Sequence, residues 1–152
     1  MTDPAMCTGG AHPSLPKVVL DTQVVLDWLV FRDLSTAHLA RSLDAGSLQW
    51  LTCKPMRDEL EHVLDRGVAA AWHPDRELIA QAFARLACVV DAPPPSGSPL
   101  RCSDPDDQIF IDLALASGAR WLLTRDRALL RLARKARERG LVVQRPVDWF
   151  VA

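Results

Sequence analysis

Long apolar runs are missing from this 152-residue chain. The longest, residues 18–31, is interrupted by two aspartates and a glutamine, whereas a membrane-spanning helix needs about 20 consecutive and mainly apolar residues. Residues 1–16 are polar and rich in glycine and proline, and they lack the basic start and apolar centre of a secretory signal. We therefore predict a cytoplasmic protein with no membrane partner, a flexible tail over residues 1–16 and one domain over residues 17–152.

Paired metal-binding motifs are also absent. The four histidines form no HxxxH pair or Cys/His cluster, and none of the four cysteines belongs to a CxxC pair. Zinc sites in proteins usually need such closely spaced ligands. Their absence argues against zinc and predicts isolated, reduced thiols at Cys7, Cys53, Cys88 and Cys102.

Charge is unevenly distributed along the chain, although the net charge is only −1. Residues 119–145 contain nine Lys or Arg and two acids, which leaves +7, and the remainder contains nine basic and seventeen acidic residues, which leaves −8. This division favours a protein that holds cations in one place and a polyanion beside it.

Short apolar segments alternate with segments of helical periodicity. The predicted strands cover residues 18–20, 48–52, 88–90, 121–123 and 141–143. The first predicted helix is capped by Thr22, the second covers 35–44, and the third starts at Pro55. The fourth follows Pro74, the fifth starts at Asp104, and the sixth covers 127–139 before Gly140. Residues 92–99 (APPPSGSP) are predicted to be a loop. This alternation is typical of an α/β fold with a parallel sheet covered by helices on both faces.

Acidic residues follow two of the predicted strands. Asp21 comes directly after the first strand and Asp126 shortly after the fourth, while Asp104 and Asp107 open the helix that leads into the fourth strand. The carboxyl ends of parallel strands form the usual binding crevice of such folds. Acids gathered there would raise one another's pKa values or bind cations, and oxygen ligands favour Mg²⁺ or Mn²⁺.

Each of these acids also has a structural explanation. Asp21 could begin a turn, Asp104 and Asp126 could be N-caps, and Asp107 could simply interact with the helix dipole. On the third predicted helix, the residues alone do not distinguish Asp58, Glu59 and Glu61. Asp112 lies five positions after Asp107, an offset that turns it away from that face of the helix. The acids predicted to be ordinary surface residues are Asp27, Asp33, Asp44, Asp65 and Asp75.

Four segments resemble the motifs of PIN domains, in the same order. Residues 18–23 (VVLDTQ) resemble the opening strand that ends in Asp-Thr-Asn, and residues 59–64 resemble the second motif, a helical Glu followed by Leu and Val-Leu. Residues 104–107, with Ala114 and Ala116, resemble the third motif, and residues 122–126 (LLTRD) resemble the fourth. The likeness extends from about residue 17 to residue 149 and is greatest to the PIN-family toxins of toxin–antitoxin systems.

The resemblance implies a three-layer α/β/α sandwich with a five-stranded parallel sheet and an Mg²⁺- or Mn²⁺-dependent ribonuclease. It implies RNA as substrate, a cognate antitoxin as partner, and a homodimer. The catalytic and metal-binding residues that it implies are Asp21, Glu59, Asp107 and Asp126, with Asp104 and Thr124 as additional site residues. Gln23 replaces the usual Asn, and we expect its longer amide to hold the first carboxylate less rigidly.

A basic surface lies next to the fourth motif. Arg127, Arg131, Arg134 and Lys135 share one face of the last predicted helix, and Arg125 and Arg127 flank Asp126. We predict RNA phosphate contacts at Arg125, Arg127 and Arg131, although basic helical faces are often only solvated surfaces.

Three other functions remain open on the sequence. One is a non-catalytic PIN-like module that binds RNA or a protein, which the departure at Gln23 would favour. Another is a metal-dependent phosphohydrolase acting on DNA or a small phosphate ester. A receiver-like phosphorylation pocket is disfavoured, because it needs a Lys just after a late strand and no Lys follows any predicted strand beyond Lys54.

Overall fold

The computed structural model describes residues 15–67, 69–94 and 99–150. Most of the predicted N-terminal tail, including Cys7, and the middle of the predicted 92–99 loop lie outside the described residues. Among the described residues, no helix has the length and apolar character that a membrane span requires. Cys53, Cys88 and Cys102 are reduced thiols in this part of the chain, as predicted.

Five parallel strands form one sheet in the described residues, with the order β3-β2-β1-β4-β5. The strands are β1 (Lys17–Leu20), β2 (Gln49–Thr52), β3 (Ala87–Val89), β4 (Trp121–Leu123) and β5 (Val142–Gln144). Central β1 pairs with β2 on one side and with β4 on the other. The strand order therefore reverses between β1 and β4, and folds of this kind bind their ligands at that point, beyond the carboxyl ends of the strands.

Helices cover both faces of the sheet. They are α1 (Thr22–Leu29), α2 (Ala37–Asp44), α3 (Lys54–Asp65), α4 (Arg76–Leu86), α5 (Gln108–Ala116), α6 (Arg127–Leu130) and α7 (Ala133–Arg137). Because successive strand residues face opposite sides, Val18 and Leu20 of β1 pack into a core with α1, α2, α3 and α4, and Val19 packs into a second core with α5, α6 and α7. This arrangement confirms the predicted α/β/α sandwich with a five-stranded parallel sheet.

Two local predictions were wrong at helix boundaries. Asp21, not Thr22, caps α1, because its carboxylate accepts the Val24 N–H, and Thr22 is the first helical residue. The single helix predicted over residues 127–139 is divided into α6 and α7. Between them the Leu132 N–H donates to the Leu129 carbonyl, a bond of the tighter 3₁₀ type, before α-helical bonding resumes from Ala136 to Leu132.

Candidate metal centre

The first and fourth motifs meet at the reversal of strand order. Leu20 at the end of β1 is in register with Leu123 at the end of β4, and the Asp21 N–H donates to the Leu123 carbonyl at 3.2 Å. Asp21 therefore lies beside the 124–126 loop, which we define as Thr124, Arg125 and Asp126.

Asp21 is a buried carboxylate with a hydrogen bond to each oxygen. Its side chain accepts the Val24 N–H at 2.8 Å and the Thr124 hydroxyl, and the residue is 4% exposed. Burial raises the pKa of Asp21 to about 6 from an ordinary value of 3.8. The hydrogen bonds from Thr124, Val24 and the Arg125 backbone act in the opposite direction, and the charge of Asp126 adds to the increase.

Asp107, Asp126 and Cys102 are close enough to hold one metal ion. One ligand atom from each of the three lies within 4.8 Å of the others. The pKa of Asp107 is raised to about 7. Burial is the largest cause, and repulsion from the charges of Asp126 and Asp104 adds to the increase. A bound divalent cation would relieve this repulsion, so the residues fit the metal that the resemblance implies.

Neighbouring main-chain groups hold Asp126 in place. The Asp126 carboxylate caps α6 by accepting the Leu129 N–H at 3.0 Å, and its own N–H donates to the Thr124 hydroxyl oxygen at 2.9 Å. Asp104 is exposed and caps the turn Pro105–Asp107 by accepting the Asp106 N–H at 3.0 Å. Asp104 therefore has the N-cap role considered from the sequence, and its charge also raises the pKa of Asp107.

Cys102 was missed by the sequence reasoning. Gln108, at the start of α5, accepts the Cys102 N–H at 2.7 Å and donates to the Leu100 carbonyl at 2.8 Å, which holds this segment against the helix. Cys102 thereby lies beside Asp107. Its position two residues before Asp104 was the available signal. Burial raises the pKa of the Cys102 thiol, so the thiol is protonated at neutral pH. The carboxylates of Asp107 and Asp126 are therefore the stronger metal ligands of this group.

On α3, Glu59 differs from its acidic neighbours. Its carboxylate accepts the Thr22 hydroxyl at 2.7 Å, so it reaches the start of α1 next to Asp21. Asp58 instead forms an exposed ion pair with Lys54, and Glu61 pairs with an exposed arginine on α4. Glu59 and Asp21 lie outside the group formed by Cys102, Asp107 and Asp126. The contacts thus distinguish three acids that composition and spacing alone did not.

Asp27 was wrongly predicted to be a surface residue. It is 2% exposed, and its carboxylate accepts the Arg125 guanidinium at 2.7 Å and the Gln23 amide at 3.0 Å. Its side of α1 faces the 124–126 loop, where the guanidinium makes burial of the charge tolerable. The amide of Gln23 contacts Asp27 and not the first carboxylate, which contradicts our expectation for that residue.

The remaining acids and the basic surface are largely where the sequence placed them. Asp112 is buried and accepts the Gln108 amide at 2.8 Å, outside the candidate metal centre as predicted. Four acids predicted to be surface residues are exposed, namely Asp33, Asp44, Asp65 and Asp75. The exposed basic residues of α6 and α7 and the segment between them are Arg127, Arg131, Arg134, Lys135 and Arg137. All five lie on the part of the chain that follows Asp126.

A comparison with protein families identifies the chain. The family model of the PIN domain matches residues 17–128, from β1 into α6, and this region contains Asp21, Glu59, Asp107 and Asp126. No curated protein sequence matches the chain at a significant level. PIN domains are generally metal-dependent nucleases. The chain belongs to the PIN domain family.

Proposed function

We propose that this PIN domain is a metal-dependent endoribonuclease that hydrolyses RNA phosphodiesters. The observation that supports it most is the proximity of Asp107 and Asp126 at the reversal of strand order, where burial and then repulsion raise the pKa of Asp107 to about 7. The proposal extends to a cytoplasmic toxin with a cognate antitoxin, and to a homodimer. The toxin, the antitoxin and the homodimer rest on the sequence resemblance.

The proposed ligands are Asp21, Glu59, Asp107 and Asp126. When bound, Mg²⁺ or Mn²⁺ supplies a water of lowered pKa and neutralises charge on the phosphate oxygens. Asp21 must be ionised to contribute, and the hydrogen bonds from Thr124 and Val24 keep its oxygens in fixed positions. Glu59, held by the Thr22 hydroxyl, would orient the attacking water through its other oxygen.

RNA would approach over the exposed arginines next to Asp126. Arg127 is the next residue along the chain, and Arg131 is one helical turn further. Their guanidinium groups would bind phosphates on either side of the scissile bond and would make RNA binding sensitive to salt.

The departure at Gln23 does not favour a non-catalytic protein. Its amide donates to Asp27 at 3.0 Å, while Asp21 receives its hydrogen bonds from Val24 and Thr124. Asp21 is therefore held without a hydrogen bond from the Gln23 amide, and the four acidic residues of the proposed site are all present.

Cleavage of a mixed pool of structured and single-stranded RNA would test the proposal. We expect cleavage with Mn²⁺, none with EDTA, and none by Asp21→Asn. Asp75→Asn is the matched control, because Asp75 is also an N-cap aspartate but lies exposed on α4, and this variant should cleave like the wild type. Cleavage that persists in EDTA and in Asp21→Asn would refute the proposed mechanism.

A further inference from the structure

The 124–126 loop is attached to both ends of α1. At the N-terminus of α1, Asp21 accepts a hydrogen bond from the Thr124 hydroxyl, and its own N–H donates to the Leu123 carbonyl, directly before the loop, at 3.2 Å. In the last turn of the same helix, Asp27 accepts the Arg125 guanidinium at 2.7 Å. Two carboxylates on one helix therefore hold one three-residue loop, and that loop includes the proposed metal ligand Asp126.

The ion pair between Asp27 and Arg125 is unequal in exposure. The side chain of Asp27 is 3% exposed and that of Arg125 is 50% exposed. Both Asp27 oxygens are occupied, one by Arg125 and the other by the Gln23 amide at 3.0 Å. Because desolvation offsets much of the attraction in a buried ion pair, such a pair adds little net stability, but it does define where its partners lie.

Small displacements of the 124–126 loop would affect several groups of the proposed site together. The Thr124 hydroxyl donates its only proton to Asp21 and accepts the Asp126 N–H at 2.9 Å. A loop shift of about 1 Å would break the hydrogen bond to Asp21 and would move Asp126 by the same amount, and errors of that size are known to impair catalytic sites strongly. The guanidinium of Arg125 lies between these two residues in the chain and is the loop's side-chain attachment to the distal end of α1.

We propose that Asp27 and Arg125 are positioning residues that set the geometry of the metal site by holding the 124–126 loop against α1. This inference rests on the proposed function, because it concerns the same metal site. It replaces the phosphate contact predicted for Arg125, whose guanidinium is already paired with a buried carboxylate. Gln23 supports the same arrangement from the solvent side of Asp27.

Metal binding without RNA provides the test. We would measure Mn²⁺ binding by calorimetry and RNA binding in EDTA for wild type, Asp27→Asn, Arg125→Gln, Arg125→Lys and the Asp27→Asn/Arg125→Gln double variant. Each single variant to Asn or Gln should weaken Mn²⁺ binding by about tenfold, as loss of an outer-shell partner usually does. The double variant should bind Mn²⁺ no more weakly than the weaker-binding single variant, because the two residues act as one unit.

Two further readouts separate positioning from general destabilisation. Arg125→Lys keeps a cation opposite Asp27 and should retain Mn²⁺ affinity within about threefold of wild type. RNA binding in EDTA should change by less than about twofold in Asp27→Asn. Asp44→Asn breaks the exposed ion pair with Arg85, remote from the site, and should leave Mn²⁺ binding unchanged. The double variant also removes the unpaired buried charge that could prevent Arg125→Gln from folding.

The inference would be overturned if Asp27→Asn and Arg125→Gln both bound Mn²⁺ normally and only Arg125→Gln lost affinity for RNA. Arg125 would then be an RNA contact. A failure of the proposed function would look different. In that case wild type would bind no Mn²⁺, or Asp21→Asn would bind it normally, and the positioning role would be refuted with the site. Weakened Mn²⁺ binding by Asp27→Asn in a protein that cleaves no RNA would support the positioning role and refute only the nuclease activity.

Discussion

Replacing Asp21 with Asn should stabilise the metal-free protein at neutral pH. Burial raises the pKa of Asp21 to about 6 from 3.8, so ionising this carboxyl costs the folded state about 3 kcal/mol relative to the unfolded chain above pH 6. Asn has no such cost and is as good an N-cap for the Val24 N–H. With the Asn Oδ1 on the Val24 N–H, its NH2 group faces Thr124 and cannot accept the hydroxyl proton, a loss of about 1 kcal/mol. The net expectation is a gain of about 2 kcal/mol.

The stability difference between wild type and Asp21→Asn should depend on pH. Because the folded-state pKa of Asp21 lies above the unfolded value, the folded protein binds the extra proton, and wild type regains stability as the pH falls from about 6 to about 4. The advantage of Asp21→Asn should therefore be full at pH 7.5 and absent near pH 4. There the loss of the hydrogen bond from the Thr124 hydroxyl makes the variant slightly less stable than wild type.

Urea denaturation in EDTA at pH 7.5, 6.0, 5.0 and 4.0 would measure this difference. Asp75→Asn is the control, because the same substitution at an exposed N-cap should change the free energy of unfolding by less than about 0.5 kcal/mol at each pH. Mn²⁺ in place of EDTA should stabilise wild type and not Asp21→Asn, so the difference between their free energies of unfolding should become smaller. An Asp21→Asn variant that is less stable than wild type at pH 7.5 would refute the reasoning from burial.

Three further outcomes follow from the same contacts. Mn²⁺ affinity should rise about tenfold from pH 6 to pH 8, because protons compete for Asp107, whose pKa is about 7; equal affinities by calorimetry would contradict this. Cys102→Ser should weaken Cd²⁺ binding by about tenfold and remove the sulfur-to-cadmium ultraviolet absorption while changing Mn²⁺ affinity less than about threefold, because thiolates prefer soft ions. Thr22→Val removes the hydroxyl that holds Glu59 at 2.7 Å and should slow RNA cleavage about tenfold, with stability changed by about 1 kcal/mol at most; an unchanged rate would show that Glu59 needs no such contact.

Much of the fold could be predicted because its signals are local. Each strand is a short apolar run between turn or helix signals, and the observed strands β1, β2, β3, β4 and β5 lie within two residues of the predicted ones. The division between α6 and α7 could not be predicted, since residues 127–139 contain neither Pro nor Gly and the tightening at Leu132 depends on packing. The N-cap of α1 was misplaced by one residue because aspartate and threonine are both good caps.

The sequence by itself determined the α/β class, the positions of Asp21 and Asp126 just beyond their strands, and the basic composition of the last helices. These properties depend on residues that are close together in the chain. Only the tertiary structure decided that Glu59 and not Asp58 or Glu61 reaches α1, that Cys102 joins Asp107 and Asp126, and that Asp27 is buried against Arg125. Each of these depends on which helix face meets which loop across the sheet, and that is settled by packing between residues up to about 100 positions apart in the sequence.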